Sequence, residues 1–504
     1  MIEQMEISEK LNAARQYEIK ESCKIANEER PIFHMYTPVG WMNDPNGFSM
    51  FDGIYHLFFQ YHPYSTHWGP MHWGHYTTKD FIQWKWKACA LAPDMEYDKD
   101  GCFSGSALEW NGQHVLMYTS VNESKDQNGE NIMRQTQSIA FGDGVNYQKY
   151  EGNPVIKADL LPKGSSVVDF RDPKIWKDEQ GFWALVGSKN EDGSGQLALF
   201  HSENVTDWKF VKILDYCRNE YGKMWECPDF FALDGRQILI VSPQFMMSDG
   251  KEFHNGNNSI YFVGEYDTAN MDWKRQIPHM IDFGLDFYAP QTLVHEDGRR
   301  IMIGWLQNWD NYLLPDDYRW SGMMTVPREL TIKNGRLIQN PVRELEKYRK
   351  NRYCYDNYEL SFQDKRVKLP KIEGRCMDLT VTLKKQEFSN FNIYLAVGHS
   401  YETVIRYNKE KGFLTTDRNR CGMWKDLLTE RSIKLEKEDM EQTQLRILLD
   451  KYSIELFVNQ GKYAMSTLIY TPISADGIFL ETDGNAIIDI EKYDIVIPEN
   501  KAIH

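Results

Sequence analysis

The sequence predicts an all-β chain: a five-bladed β-propeller over residues 30–340, then a β-sandwich over residues 353–504, with a short helical extension at residues 1–29. Three observations carry that reading. A turn containing glycine precedes a hydrophobic strand five times in the first two thirds of the chain. A second turn signal leading to tryptophan recurs in the same phase. The last third alternates apolar and polar residues, as in Ser453-Ile454-Glu455-Leu456-Phe457-Val458, the period of strands with one solvated face.

Taken in order, residues 7–28 read as one amphipathic helix, with Ile7, Leu11, Ala14, Tyr17 and Ile25 near helical spacing and no Pro or Gly between them. It is expected to pack on the outside of the main domain; a homodimer contact is the alternative. The five turn–strand copies are Asp52-Gly53, Asn111-Gly112, Gln180-Gly181, Asp234-Gly235 and Asp297-Gly298, each before a run such as IYHLFFQ or RQILIVSP. Their spacing of roughly 55 to 70 residues suits a four-stranded blade with long loops. In the second signal Thr78-Lys79-Asp80 leads to Trp84, Ser202-Glu203-Asn204 to Trp208 and Tyr266-Asp267 to Trp273. Residues 341–352, PVRELEKYRKNR, read as a charged helical linker with Pro341 in its first turn. About eight alternating strands follow, which suits a sandwich with a structural role.

Composition narrows the function. Aromatic residues make up 13 % of the chain, with 15 Trp and 28 Tyr, which suits a large β protein or a cleft that stacks rings on sugar faces. A formal charge of −15 without a Lys/Arg-rich run disfavours nucleic acid and anionic membranes as partners and favours a small neutral molecule. No segment approaches 18 uncharged apolar residues, the first residues carry no apolar leader, and the eight cysteines include no CxxC. A cytoplasmic protein with reduced thiols is expected.

The candidate chemistry centres on Trp41-Met42-Asn43-Asp44-Pro45-Asn46-Gly47. Pro45 disfavours helix at Asp44 and Asn-Gly is turn chemistry, so Asp44 is expected in extended backbone before a bend. Arg171-Asp172-Pro173 and Trp225-Glu226-Cys227-Pro228 repeat the pattern. Asp44, Asp172 and Glu226 lie 8, 6 and 8 residues ahead of Asp52, Asp178 and Asp234, and Asp286 lies 11 ahead of Asp297. Each acid is thus assigned to the first strand of its blade, which lines the central channel, so the acids are expected to converge in one axial pocket. Converging carboxyls push one another's pKa values apart.

These motifs resemble glycoside hydrolase family 32, the invertases, sucrose-6-phosphate hydrolases and fructanases, over nearly the whole chain. Gln60, Trp68-Gly69-Pro70, Phe103-Ser104-Gly105-Ser106, Asp286 to Gln291 and Gly304-Trp305 are similar to the family's sugar-binding segments. The resemblance implies a retaining β-fructofuranosidase acting on sucrose or sucrose 6-phosphate, with Asp44 as nucleophile, Glu226 as acid and base, and Asp172 as transition-state stabiliser. Retention requires carboxyl groups about 5 to 5.5 Å apart, one of them protonated; Trp225 and Pro228 are expected to give Glu226 the apolar setting that raises its pKa. Asn43 and Gln60 would hydrogen-bond the sugar, Arg171 would order the acids' ionisation and contact a hydroxyl, and Ser104 would bind substrate. Trp68, Phe103 and Trp305 would wall the pocket, with core packing the plainer alternative for Trp68 and Trp305.

The reading requires no cofactor and no metal. His56, His62, His67, His72 and His75 crowd one segment but match no common zinc spacing, and aromatic packing is the favoured role. Cys227 is read as tuning or packing in preference to a thiol nucleophile. An exo-fructanase or fructosyltransferase, an inverting pentosidase on a similar propeller, and a non-catalytic sugar-binding propeller are the rivals. For a phosphate on the substrate, Lys163, Lys189, Arg319 and the histidines are the candidate partners.

Overall fold

The computed structural model describes residues 7–126, 128–315, 317–423 and 425–498. The outer ends of the expected helical extension and sandwich, residues 1–6 and 499–504, lie outside the described residues.

Five antiparallel sheets follow one another between residues 40 and 341. Each begins with a strand that contacts the first strand of the next sheet. These inner strands are Gly40–Phe51, Gly101–Trp110, Phe170–Asp178, Met224–Leu233 and Tyr288–Val294. The fifth contacts the first again, so they form a closed ring around an axis. Trp320–Ser321, from the fifth sheet's segment, adds a parallel strand to Gly40–Trp41 and fastens the ring where the chain would otherwise open. The result is a β-propeller.

Local chemistry explains the sheets. At Asp52-Gly53, Asn111-Gly112 and Asp234-Gly235 both residues have positive φ, between 49° and 76°, the two-residue turn whose twist matches antiparallel strands. The second turn signal caps the entry to the outermost strand: Asp80 Oδ1 accepts from the N–H groups of Ile82 and Gln83, and Asn204 Oδ1 from those of Thr206 and Asp207.

The N-terminal helix is shorter than periodicity suggested, Glu9–Ser22, and Ile25 lies beyond it. Ser8 stops it at the front by accepting from the Leu11 N–H. Leu11 and Ala14 are buried against the outermost strand of the first sheet, Lys85–Leu91. Arg15 donates to Cys89 O and Glu18 accepts from Cys89 N–H, so helix side chains satisfy backbone groups of that edge strand. Burial pushes the Glu18 pKa up to about 8.

The stretch read as a helical linker is a six-residue 3₁₀ turn, Arg343–Tyr348, and its charged second half already belongs to a strand, Arg349–Ser361. The second domain is a β-sandwich of one six-stranded and one five-stranded sheet. Three of these strands were not legible as alternating runs: Arg349–Ser361, Phe413–Arg420 and Glu430–Lys434.

The two domains are joined by buried charge. Arg328 of the propeller donates to Asp282 at 2.9 Å and to Glu455 of the sandwich at 2.5 Å. His34 lies between Asp450 at 2.9 Å and Glu455 at 2.8 Å. The backbones approach so closely here that a Cβ on Gly284 would fall 2.0 Å from Ser466 O, leaving room for glycine alone.

Candidate active site

Each inner strand is broken where it meets the axis. Asn43–Asp44 stand opposite Gln60 alone, Asp172–Pro173 opposite Val186, Cys227–Pro228 opposite Val241, and Ala289–Pro290 opposite Gly304. These are β-bulges, in which two residues oppose one and the extra residue is re-aimed. Asp172, Cys227 and Ala289 carry φ of 63°, 48° and 50°, and each is followed by a proline that donates nothing to the ladder. Ser104 sits at a fifth register slip, between Phe103 and Gly105.

The bulges bring three acids from three sheets together. The Cys227 thiol lies 3.6 Å from Asp44 Oδ2 and 3.7 Å from Asp172 Oδ2, and the Cys227 N–H donates to Asp172 Oδ2 at 3.0 Å. Ser104 Oγ donates to Asp44 Oδ2 at 2.8 Å. Asp44 Oδ1 is buried and has no partner. Glu226 accepts on both oxygens: Arg171 Nε at 2.9 Å on Oε1 and the Tyr288 hydroxyl at 2.8 Å on Oε2. Asp286 does not join this group; it stands just ahead of its strand and turns to the sandwich, bonded to Arg418 and the Leu468 N–H.

Burial, then the charge of Glu226, pushes the Asp44 pKa up to about 6; the Ser104 hydroxyl, the neighbouring Asn43 amide and the Cys227 thiol oppose the shift. Asp172 is raised by the same two causes. Burial and the neighbouring Asp172 and Asp44 charges raise the Cys227 thiol far above its usual range, so it is a hydrogen-bond donor here and not a thiolate nucleophile. The apolar setting expected around Glu226 falls instead on the two aspartates. Alternation along the strand turns Trp225 away, into the core against Phe262, with its Nε1 donating to Tyr221 O. An Asp44 acting as nucleophile must be ionised, so kcat/KM is expected to fall about tenfold per pH unit below pH 6. A pH–rate profile from pH 4 to 8 checks this; an acid limb near pH 4 would mean that a less buried carboxylate governs the rate.

The other predicted residues fall into place unequally. Asn43 accepts from Trp41 Nε1 at 2.8 Å, which fixes its amide beside Asp44. Gln60 donates to Cys102 O at 3.0 Å and so ties down the strand that carries Phe103 and Ser104. Trp68 is 50 % exposed and meets Phe103 edge-on at 5.8 Å, an aromatic rim. Trp305 is wholly buried against Trp41 and Trp309, a core residue beneath the site and not an open wall. Arg171 spends four of its five N–H groups on Glu226, Gln135, Asp169 and Gln244, leaving one for a ligand.

Lys189 is committed to Asp169 at 3.1 Å, and Arg319 lies 3.7 Å from Glu21 on the N-terminal helix. The histidines serve packing: His56 bonds His75 at 2.9 Å, and His62 and His72 meet Pro70 O. Burial lowers the His56 pKa to about 4. No cluster of metal-ligating side chains is found among the described residues. The sequence placed Tyr288 within a segment resembling the family's sugar-binding segments but gave it no role of its own beside Glu226. Its signal was Ala289-Pro290, a proline at the same strand position as Pro45, Pro173 and Pro228, which a search for acids passes over.

A buried carboxylate with one free oxygen, close to a second carboxyl clamped by an arginine and a tyrosine, at the axis of a propeller, is the equipment of a glycoside hydrolase. Comparison with known proteins bears this out. The family model for the glycosyl hydrolases family 32 N-terminal domain matches residues 34–341, and that for the family's C-terminal domain matches residues 344–495. A sucrose-6-phosphate hydrolase of Escherichia coli is 35 % identical over 467 residues, covering 92 % of this chain and 93 % of that protein. A raffinose invertase of the same organism is 33 % identical, covering 96 % and 98 %. The solved structure of a Bombyx mori β-fructofuranosidase superposes with a TM-score of 0.83 at 30 % identity, covering 96 % of this chain and 97 % of that one. The chain belongs to glycoside hydrolase family 32.

Proposed function

We propose that this enzyme is a β-fructofuranosidase that releases the terminal fructosyl unit of sucrose or sucrose 6-phosphate with retention of configuration. The observation that carries the reading is Asp44: one oxygen is held by Ser104 and the Cys227 thiol, and the other is buried without a partner. That free oxygen attacks the anomeric C2. As the C2–O bond to the leaving sugar breaks, Glu226 gives its proton to the departing oxygen, and a covalent fructosyl-Asp44 ester remains. Water then attacks C2, Glu226 takes the water proton, and Asp44 leaves as a carboxylate. Asp172, fixed by the Cys227 N–H, accepts fructose hydroxyl protons and faces the positive charge that develops at the ring. Each of the five sheets counts as one blade, and the sandwich is a structural partner. Eight cysteines, all unbridged, suit a reducing cytoplasm.

Lys189 lies 3.1 Å from Asp169, and Arg319 is an exposed side chain 3.7 Å from Glu21, so neither is a buried charge held ready for a phosphate. Sucrose and sucrose 6-phosphate are therefore expected to be cleaved with kcat/KM within about tenfold of each other, since a phosphate meeting only exposed charges gains about 1 kcal/mol or less. Initial rates on both, with an inulin-type oligomer as third substrate, test the reading. Methanol as competing acceptor should yield methyl β-D-fructofuranoside. An α-configured product would replace the double-displacement scheme with an inverting one, and no fructose from any of the three would leave a sugar-binding propeller.

A further inference from the structure

The Tyr288 hydroxyl, one of the two donors to Glu226, is carried by a strand that begins two residues after Asp286. Asp286 is held by the other domain. Its Oδ2 accepts from Arg418 Nη1 at 2.5 Å and from the Leu468 N–H at 2.7 Å, and its own N–H donates to Ser466 O at 3.1 Å. Arg418 is 1 % exposed at the side chain, and it also donates to Leu468 O at 3.1 Å and Leu428 O at 3.3 Å. All of these partners belong to the sandwich. Within the propeller, the single Tyr288 O–H is shared between Glu226 and the Ser242 carbonyl oxygen, 3.0 Å away, and the Ala289 N–H donates to Ser242 Oγ at 3.1 Å.

We propose that Arg418, a sandwich residue, is a positioning residue for acid catalysis: by fixing Asp286 it sets where the Tyr288 hydroxyl meets Glu226. Arg328, with Asp282 and Glu455, is as deeply buried and touches the same segment through Ser466 and the Phe287 ring, whereas Arg336, on the outermost strand of its sheet, reaches Glu436 of the sandwich at 3.1 Å away from the strand that carries Tyr288. Arg336 thus joins the domains only, and Arg418 joins them through a segment that ends on the acid. Side chains that orient a catalytic group act through small displacements, and a misplacement of about 1 Å can cost about a hundredfold in rate.

The inference rests on Glu226 as the general acid, and the test separates the two. Sucrose leaves as a sugar alkoxide and needs the proton; p-nitrophenyl β-D-fructofuranoside leaves as a phenolate and hardly does. Arg418→Lys is expected to lower kcat/KM on sucrose by about tenfold or more while the nitrophenyl substrate stays within about twofold. Tyr288→Phe should give the same pattern, and combining the two should add little to Tyr288→Phe alone. Asp286→Asn, which keeps the shape and removes the charge, provides the same reading if Arg418→Lys does not fold. Arg336→Lys, the interface control on an outermost strand, should leave the ratio of the two substrates unchanged. Equal losses on both substrates in Arg418→Lys, or multiplicative losses in the double variant, overturn the relay. Glu226→Gln should lose kcat/KM on sucrose and keep it on the nitrophenyl compound, since kcat/KM reports formation of the ester and not its later hydrolysis; if it does not, the assignment of the acid fails, independently of the relay.

Discussion

Asp44→Ala is expected to lower kcat on sucrose by about 10⁴-fold or more while sugar binding survives. Removing the nucleophile of a covalent mechanism costs on that order, because the remaining acid, stabiliser and binding contacts cannot form the ester intermediate. The pocket itself should persist. Ser104 and Cys227 lose an acceptor, at about 1–3 kcal/mol for a buried donor left unpaired. Against that, the variant removes a carboxylate whose pKa burial has lifted to about 6 and whose second oxygen has no partner. These effects oppose each other, so the variant is expected to melt no lower than the parent, the trade of stability for function common at active sites. Calorimetric titration with sucrose, together with the melting curve and single-turnover rates, checks all three parts. Turnover within about tenfold of the parent would remove Asp44 from the mechanism.

Much of this site was legible because catalysis constrains backbone as well as side chain. Asp44, Asp172 and Glu226 could be found because each precedes or nearly precedes a proline at one strand position, and the bulges now explain why: the proline donates nothing to the ladder and the extra residue turns a side chain to the axis, with positive φ at Asp172 and Cys227. The same regularity pointed to Ala289-Pro290 and hence to Tyr288, but alanine bears no chemistry, so a search for acids stopped short. Asp286 shows the reverse error. Its offset from Asp297 suited the pocket, yet its charge is claimed by Arg418, some 130 residues away in sequence, and no local pattern announces such a partner.

Trp305 was ambiguous for a related reason: an indole packs equally well as wall or as core, and only the positions of Trp41 and Trp309 decide. The sandwich strands that alternation did not reveal are charged segments such as Arg349–Ser361. Its strand character comes from pairing with Asn485–Ile495, and that of Phe413–Arg420 and Glu430–Lys434 from pairing in the other sheet, not from their own hydrophobic period.

The largest stability effect is expected at the domain junction, from Arg328→Met. Arg328 is wholly buried and bonds Asp282, Glu455, Gln339 and Ser466. Without the guanidinium, two carboxylates stay buried with only backbone N–H groups, a serine and His34 to balance them: Asp282 accepts from the Gly284 and Ser466 N–H groups, and Glu455 from the Val326 N–H. Breaking a buried pair from one side costs about 3–5 kcal/mol, because the stranded charge has no water to return to. His34 extends the network with a sign that can be tested by pH. Burial alone would lower its pKa, but hydrogen bonds to Asp450 and Glu455 carry it up to about 9, above the ordinary 6.5. A raised histidine stabilises fully below pH 6.5 and loses that contribution as pH rises through about 9. Asp450, although buried, is held down to about 2 by His34 and the Phe33 and Ile32 N–H groups, so its contribution is present above pH 4 and lost only as pH falls through about 2. Urea unfolding at pH 6, 7, 8 and 9 should therefore show declining stability for the parent. For Arg328→Met it should show a lower midpoint throughout, with propeller and sandwich unfolding together. If the variant unfolds within about 1 kcal/mol of the parent, the interface is held by apolar packing and the buried charges contribute specificity alone.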